Sequence, residues 1–365
     1  MVMTRVPSNN GHAHLPSEPP ISSAGHDSHR IAVVVNGRAK NVTAEVISTL
    51  DRILKGGDLF VSRSLDDARE IAKTLVMGGY GTVLTGGGDG TFTVMVTEVV
   101  REARRAGRAL PRFGLLKLGT GNSLAWVVGA RDVHGGELGA DIEKLSRHAG
   151  SRTIRLVEVD GIISPFCGLG ADARVLADYG WLKEKLAGTP LKRVATGRLG
   201  YGLAAATRSL PRELFGRNSR CRIINSGDEA YQLGEKGMVV RSAPKGEVLY
   251  DGPMRFAAIS TIPYYGYGFR MFPYADERPD RMHLRLTTMS PIEFLLHMRD
   301  IWRGSYEGSN SIHDFLVESV TIELDPEVAF QIGGDSRGLR RHVEARLCSE
   351  PIELVDMYAP PSIVP

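Results

Sequence analysis

Cysteine is scarce in this chain: Cys167, Cys221 and Cys348 stand far apart among 365 residues. A scattered, odd-numbered set makes neither a disulfide framework nor a zinc site, and it fits a reducing cytoplasm. Long apolar runs are missing too, and none approaches the roughly 20 residues that a membrane helix needs. Nor does charge of one sign dominate. The net charge of +3 is too small to argue for nucleic acid, so no nucleic-acid partner is expected. Residues 1–30 lack the apolar middle of a signal peptide. Rich in Pro, Ser, His and Gly, they read as a disordered leader, and its His12, His14, His26 and His29 read as part of a flexible polar tail rather than a metal site. Apolar content, at 42%, is sufficient for real cores, and the length suits two domains.

Glycine is abundant, and it gathers. Thr85-Gly86-Gly87-Gly88-Asp89-Gly90-Thr91 follows an apolar run at 80–84 and precedes a periodic apolar run at 92–100. That order reads as strand, glycine turn, helix. Glycines leave backbone N–H groups unobstructed, so an anion can approach them closely. The start of a helix adds the positive end of its dipole. Asp89 is a carboxylate where phosphates would sit, a placement that makes sense if it holds Mg²⁺ or takes a proton. Phosphoryl transfer from a nucleotide is the chemistry these residue types suit.

The spacing predicts strands at 31–35, 58–62, 82–85 and 113–118, with helices at 42–54, 66–72, 92–105 and 124–128. Alternation of this kind implies a parallel sheet with helices on both faces, a doubly wound α/β nucleotide-binding domain over 31–150. A second glycine turn, Gly119-Thr120-Gly121-Asn122-Ser123, follows the strand at 113–118. Ligands bind at the carboxyl ends of such strands, so one crevice would use both turns. The pattern changes near Ser151. Short strand-like pieces at 153–160, 220–224, 237–240, 254–261, 282–287, 317–324 and 343–347 predict an antiparallel, sandwich-like β-rich substrate domain over 151–348. A helical insert is expected at 178–209 and a helix at 291–302. The segment 349–365 is expected to pack back on the first domain.

Gly87-Gly88-Asp89-Gly90-Thr91 followed by Leu118-Gly119-Thr120-Gly121-Asn122 resembles the catalytic domain of the diacylglycerol and sphingosine kinases. Three later pieces are similar to family segments: Gly168-Leu169-Gly170-Ala171-Asp172-Ala173, the stretch from Tyr264 through Pro273 and Ala275, and Gln331-Ile332-Gly333-Gly334-Asp335, which stands where the family has Gln-x-Asp-Gly-Glu. The resemblance runs in the right order from about residue 31 to 355. It implies ATP and Mg²⁺ as cofactors, bound between an α/β domain and a β-rich domain, and a lipid hydroxyl as acceptor. Carried over by position, Asn36, Gly37 and Lys40 lie near the nucleotide. Gly87, Gly88, Gly90 and Thr91 cradle phosphates, with Gly119, Thr120 and Asn122 on the nucleotide from the second turn. Asp89 acts through Mg²⁺ or a hydrogen-bonded water, and Asp172 meets the lipid head group or caps a helix.

Two departures stand out. Ser123 occupies the place where many bacterial relatives carry Asp, and a serine cannot offset the charge of Mg²⁺. Asp335 stands where the family has Glu, on a stem shorter by about 1.5 Å, and misplacement on that scale can cost on the order of 10²-fold in rate. Asp335 is nevertheless expected to be the base that takes the acceptor's proton. Asp276 and Asp280 read as a plain turn. The basic runs Arg101, Arg104, Arg105, Arg108, Arg112 and Lys183, Lys185, Lys192, Arg193 read as solvated faces, the second with a membrane-surface alternative. Arg337, Arg340 and Arg341 read as phosphate ligands or surface charge. Tyr264, Tyr265, Tyr267, Phe269, Phe272 and Tyr274 read as packing, with a narrowed acceptor cleft as the alternative. The expectation is a cytoplasmic lipid kinase, peripherally attached to the membrane that holds its substrate, with a homo-oligomer compatible. The rivals are a catalytically impaired nucleotide- or lipid-binding protein of the same fold and an NAD kinase-like enzyme.

Overall fold

The computed structural model describes residues 4–5, 27–39, 42–54, 58–119, 122–130, 150–171, 173–174, 218–266, 268–306, 310–356 and 358. The insert expected at 178–209, with its basic run, lies outside them. So do Lys40, Thr120, Asp172 and Tyr267.

The first half builds one sheet from strands β1 (Asp27–Asn36), β2 (Leu59–Ser62), β3 (Tyr80–Gly87) and β4 (Arg112–Lys117). Their order is β2-β1-β3-β4, all parallel. Between them run helices α1 (Ala44–Ile53), α2 (Leu65–Met77) and α3 (Asp89–Ala106), and α4 (Ser123–Val128) follows β4. Caps start the early helices: the Thr43 and Ser64 hydroxyls accept from the N–H groups of Val46 and Asp67. On α2, Ala68, Ile71, Ala72, Leu75 and Val76 form the buried stripe that a helical period predicts. They pack with α3 on one face of the sheet, around Val34, Val83 and Phe113. Leu50 of α1 covers Val33, Val35, Leu84 and Leu116 on the other face. The doubly wound arrangement follows from these two apolar faces.

Two further strands complete this sheet. Gly150–Ile154 (β5), of which 151–154 had been placed in the second domain, pairs antiparallel with a strand from the chain's far end. That strand, Ile352–Asp356 (β18 in chain order), also lies parallel to β4. The alternation read across 153–160 is broken after Ile154, and only Val157–Val159 (β6) joins the second sheet. Within the segment read as a disordered leader, residues 4–5 and 27–30 pair as strands instead, and the rest lies outside the described residues. The strand starts at Asp27, and the pair Thr4–Arg5 runs antiparallel to Met238 and Val239, because ladder hydrogen bonds need no apolar side chains.

The second sheet is antiparallel. After β6 come β7 (Ile162–Ser164), β8 (Phe166–Gly170), β9 (Ser219–Asn225), β10 (Ala230–Leu233), β11 (Met238–Ala243), β12 (Val248–Met254), β13 (Phe256–Ser260) and β14 (Met282–Thr287). Helices α5 (Pro291–Leu296) and α6 (Met298–Arg303) lead to β15 (Ile312–Val317), β16 (Ser319–Ile332) and β17 (Asp335–Leu347). The expected helix at 291–302 is thus two helices, broken at His297. Inward residues from β6 through β17 form a single cluster that includes Leu169, Ile223, Leu284, Phe315, Phe330 and Val343. One core shared by so many strands requires the sheet to curl over itself, as sandwich-like packing does.

Helix α3 joins the two sheets. Thr97 Oγ1 accepts from Ile163 N at 2.9 Å and donates to its carbonyl at 3.2 Å, and Thr93 and Ser164 hydroxyls meet at 3.2 Å. At the other end of α3, Arg104 reaches Glu158 and Glu350, and Arg346 also binds Glu158. Arg101 pairs with Glu98 and Arg105 with Glu102, so the three arginines of the run that lie on this helix are spent on ion pairs, while Arg108 donates to Met77 O and Arg112 to Thr82 Oγ1. The three cysteines are buried and unbridged.

Candidate active site

The site grows from the carboxyl end of β3. Gly88 caps α3 and makes no side-chain hydrogen bond there. The missing side chain of Gly87 makes room for Thr91, whose Oγ1 would lie 2.2 Å from a Cβ there. Thr91 Oγ1 in turn accepts from Asn36 Nδ2 at 3.2 Å, and Asn36 Oδ1 accepts from Arg38 N at 2.9 Å. Gly37 packs on β2, where a Cβ would meet Val61 at 2.9 Å.

The second glycine turn lies directly on the first. A Cβ on Gly119 would fall 2.3 Å from Gly88 N and Cα, so backbone touches backbone. Asn122 closes this turn by donating to Gly119 O at 3.3 Å. Both turns that the sequence singled out thus meet in one crevice. What the sequence missed is the link between them. Asp89 accepts from Ser123 N at 2.8 and 2.9 Å through its two oxygens, and from Ser123 Oγ at 2.8 Å. Ser123 Oγ accepts from Gly266 N at 2.6 Å, which draws in the loop before β14.

This geometry changes the expected role of Asp89. Its carboxylate is buried against the N-terminus of α4, and burial pushes its pKa up to about 6 even though hydrogen bonds from Ser123 and Leu124 pull it down. A carboxylate already engaged by three Ser123 contacts does not fit as a direct ligand of Mg²⁺. Among the described residues, no three Asp, Glu, His or Cys side chains converge to hold a metal. A cavity of about 10 Å³ lined by Thr85, Gly88, Asp89 and Asn122 leaves room for roughly one water, the other partner foreseen for Asp89.

The second carboxylate arrives from the other sheet. β16 and β17 form a hairpin whose central residues, Gly333 and Gly334, have φ of 57° and 85°. A two-residue turn with both central φ positive favours glycine at both places. Asp335 is the first residue after it, paired with Ile332. Its carboxylate oxygens lie 3.3 and 3.6 Å from where a Cβ of Gly90 would stand. The shorter stem therefore still reaches the glycine turn, because the hairpin tip is seated on α3: Gly333 would clash with Thr93 if it bore a side chain.

Other candidates separate. Arg340 and Arg341 form long, exposed ion pairs with Asp160 at 3.8 Å and Glu327 at 3.7 Å, as surface charge does. Arg337 Nε, two residues from Asp335 on the same strand, is buried and makes no hydrogen bond. Asp280 pairs with the adjacent Arg281, in keeping with a plain turn. Tyr265 packs against Phe166, Phe256 and Phe272, so the packing reading of the aromatic cluster holds for it.

Two glycine turns in backbone contact, approached by a carboxylate from an antiparallel sheet, define a class by fold: a doubly wound α/β domain joined to a β-rich one. Residues 30–159 match the family described as the diacylglycerol kinase catalytic domain, and the resemblance read from the glycine motifs stands on that match. A protein of Bacillus anthracis str. Sterne, provisionally named a diacylglycerol kinase, superposes with a TM-score of 0.61 at 14% identity, over 92% of this chain and 98% of its own. Another structure from that organism, named a diacylglycerol kinase, gives 0.56 at 14% identity over 90% and 97%. At such identity the likeness is one of fold. No curated protein matches the chain in sequence.

Proposed function

We propose that this chain is a lipid kinase that transfers the γ-phosphoryl group of ATP to the hydroxyl of a diacylglycerol- or sphingosine-like lipid. The observation that carries this reading is the contact of Asp335 with the Gly90 turn, which puts a proton acceptor beside a phosphate cradle. The uncapped start of α3 supplies backbone donors and a helix dipole for the nucleotide's phosphates. Asn36, Thr91 and Asn122 hold the two turns in shape. ATP supplies the phosphoryl group, and Mg²⁺ has no site built from the described side chains alone. In the reaction, Asp335 takes the proton of the acceptor hydroxyl as its oxygen bonds to the phosphorus, and the bond to ADP breaks. Positioning and charge neutralisation are most of what such a transfer needs.

A lipid acceptor also calls for access to a bilayer. Among the described residues no helix is long and apolar enough to cross one. Instead α5 buries none of its residues, and Ile292, Leu295, Leu296 and the following Trp302 are exposed beside Arg299 and Arg303. Exposed apolar side chains with arginines close by in the chain suit the surface of a membrane with anionic lipids. The setting we propose is the cytoplasmic face of such a membrane.

The test is incubation of the protein with γ-labelled ATP and a panel of diacylglycerols and sphingoid bases. We expect label in one lipid. Asp335→Asn should lower turnover by on the order of 10²-fold or more while calorimetry still finds ATP bound. Undiminished turnover in that variant would remove Asp335 as the base, and no ATP binding to the wild-type protein would end the kinase reading.

A further inference from the structure

Asp335 sits on a turn, and a turn is only as well placed as the groups that hold it. Contacts made directly and through Gln331 help to hold this one. Gly333 N donates to Phe166 O at 3.0 Å. Gly334 N donates to Gln331 Oε1 at 2.8 Å. Gln331 is fully buried, and its Nε2 donates to Tyr265 Oη. The side-chain amide of Gln331 is therefore gripped at one end by Tyr265 and grips the turn with the other. Tyr265 is itself fixed, since its N–H donates to Phe269 O at 2.8 Å and its ring lies 4.7 Å from Phe166 and 5.7 Å from Phe272. The next residue, Gly266, donates to Ser123 Oγ, which donates to Asp89. One dipeptide thus reaches both carboxylate-bearing turns of the crevice.

We infer that Tyr265 is a positioning residue for Asp335, acting through the Gln331 side chain and the Gly334 amide. The inference rests on the kinase reading above. The chemistry favours a hydroxyl at this place over a plain aromatic ring. Gln331 is buried, and loss of Oη removes an acceptor of its amide, which weakens the hold of that amide on Gly334 N. The hairpin tip and Asp335 would then sample positions away from Gly90. Because Asp335 has a short stem, the site has little slack to absorb that motion.

Tyr265→Phe is the informative variant, since it keeps the ring contacts and removes one oxygen. In the full-length protein, with the lipid found in the panel above, we expect kcat to fall by about 10- to 100-fold. The KM and Kd for ATP should stay within about twofold, because the cradle is untouched. Exchange of the Gly334 amide proton with solvent should quicken. In a Gln331→Met background, adding Tyr265→Phe should change kcat no further, since the two residues act in series. An unchanged kcat, an unchanged Gly334 exchange rate, or ATP affinity falling in step with kcat would each overturn the inference while leaving the kinase reading intact. A wild-type protein that labels no lipid would instead overturn the kinase reading, and this inference with it.

Discussion

Asp89 accepts from Ser123 through both carboxylate oxygens while only 8% of the residue meets solvent. Burial outweighs those hydrogen bonds and sets its pKa at about 6 against an ordinary 3.8. A carboxyl with a raised folded pKa still holds its proton where the unfolded chain has lost it. As far as this group is concerned, stability is greatest below pH 3.8, declines as pH rises to about 6, and is level above that. Ser123→Ala removes the hydroxyl that favours the charged form. We expect the Asp89 titration, followed by carbon-13 NMR of its carboxyl, to move upward from about 6, and urea unfolding to show a loss of about 1 kcal/mol. An unmoved midpoint would take Ser123 Oγ out of this account. Asp89 and Asp335 were legible in the sequence because glycines stand beside them. Ser123 as a bridge and Tyr265 as a brace were not, since their partners Gly266 and Gln331 lie far away along the chain.

At the scale of elements, the parallel strands and their helices were read within a few residues of where they lie. Periodicity and caps are local signals, and α2 and α3 show them plainly. The hairpin tip was not read from the sequence, although Gly333-Gly334 suits a turn with two positive φ values. The break between α5 and α6 was not read either, and neither was the exposure of α5. Its apolar spacing looks like that of a core helix, and only the tertiary structure leaves Ile292, Leu295 and Leu296 exposed. If a bilayer is what they meet, Leu295→Glu with Leu296→Glu should weaken binding to anionic phospholipid vesicles by about 10-fold or more in a sedimentation assay. Turnover of a dispersed short-chain acceptor should be unaffected. Equal vesicle binding by variant and wild type would remove α5 from the membrane surface.

For the molecule as a whole, the junction of the two sheets is the feature on which the site depends. Arg104 joins Glu158, whose side chain is 5% exposed, to Glu350. Burial alone would raise Glu158, yet the hydrogen bonds from Arg104 and Arg346 outweigh it and lower its pKa. The Arg104 hydrogen bond holds Glu350 down at about 2 against an ordinary 4.5. A depressed carboxylate stabilises the fold above its unfolded value and ceases to as pH falls through its folded one, so this contribution fades between pH 4.5 and about 2. Arg104→Ala should cost about 1–3 kcal/mol, kept modest because Arg346 still pairs with Glu158. Acid unfolding should also shift less steeply in that variant below pH 4.5. A loss below a few tenths of a kcal/mol would mean that the hydroxyl contacts of Thr93 and Thr97 hold the junction without it.

By itself the sequence determined what short stretches of backbone can do: two glycine turns, with a strand before each and a helix after. Those properties depend on sterics and hydrogen bonding within a few residues. Only the tertiary structure decided which of these pieces meet. It seated Asp335 on Gly90, turned Asp89 toward Ser123 and set Tyr265 between them, because those contacts depend on how two sheets pack around α3, and packing joins residues without regard to their order in the chain.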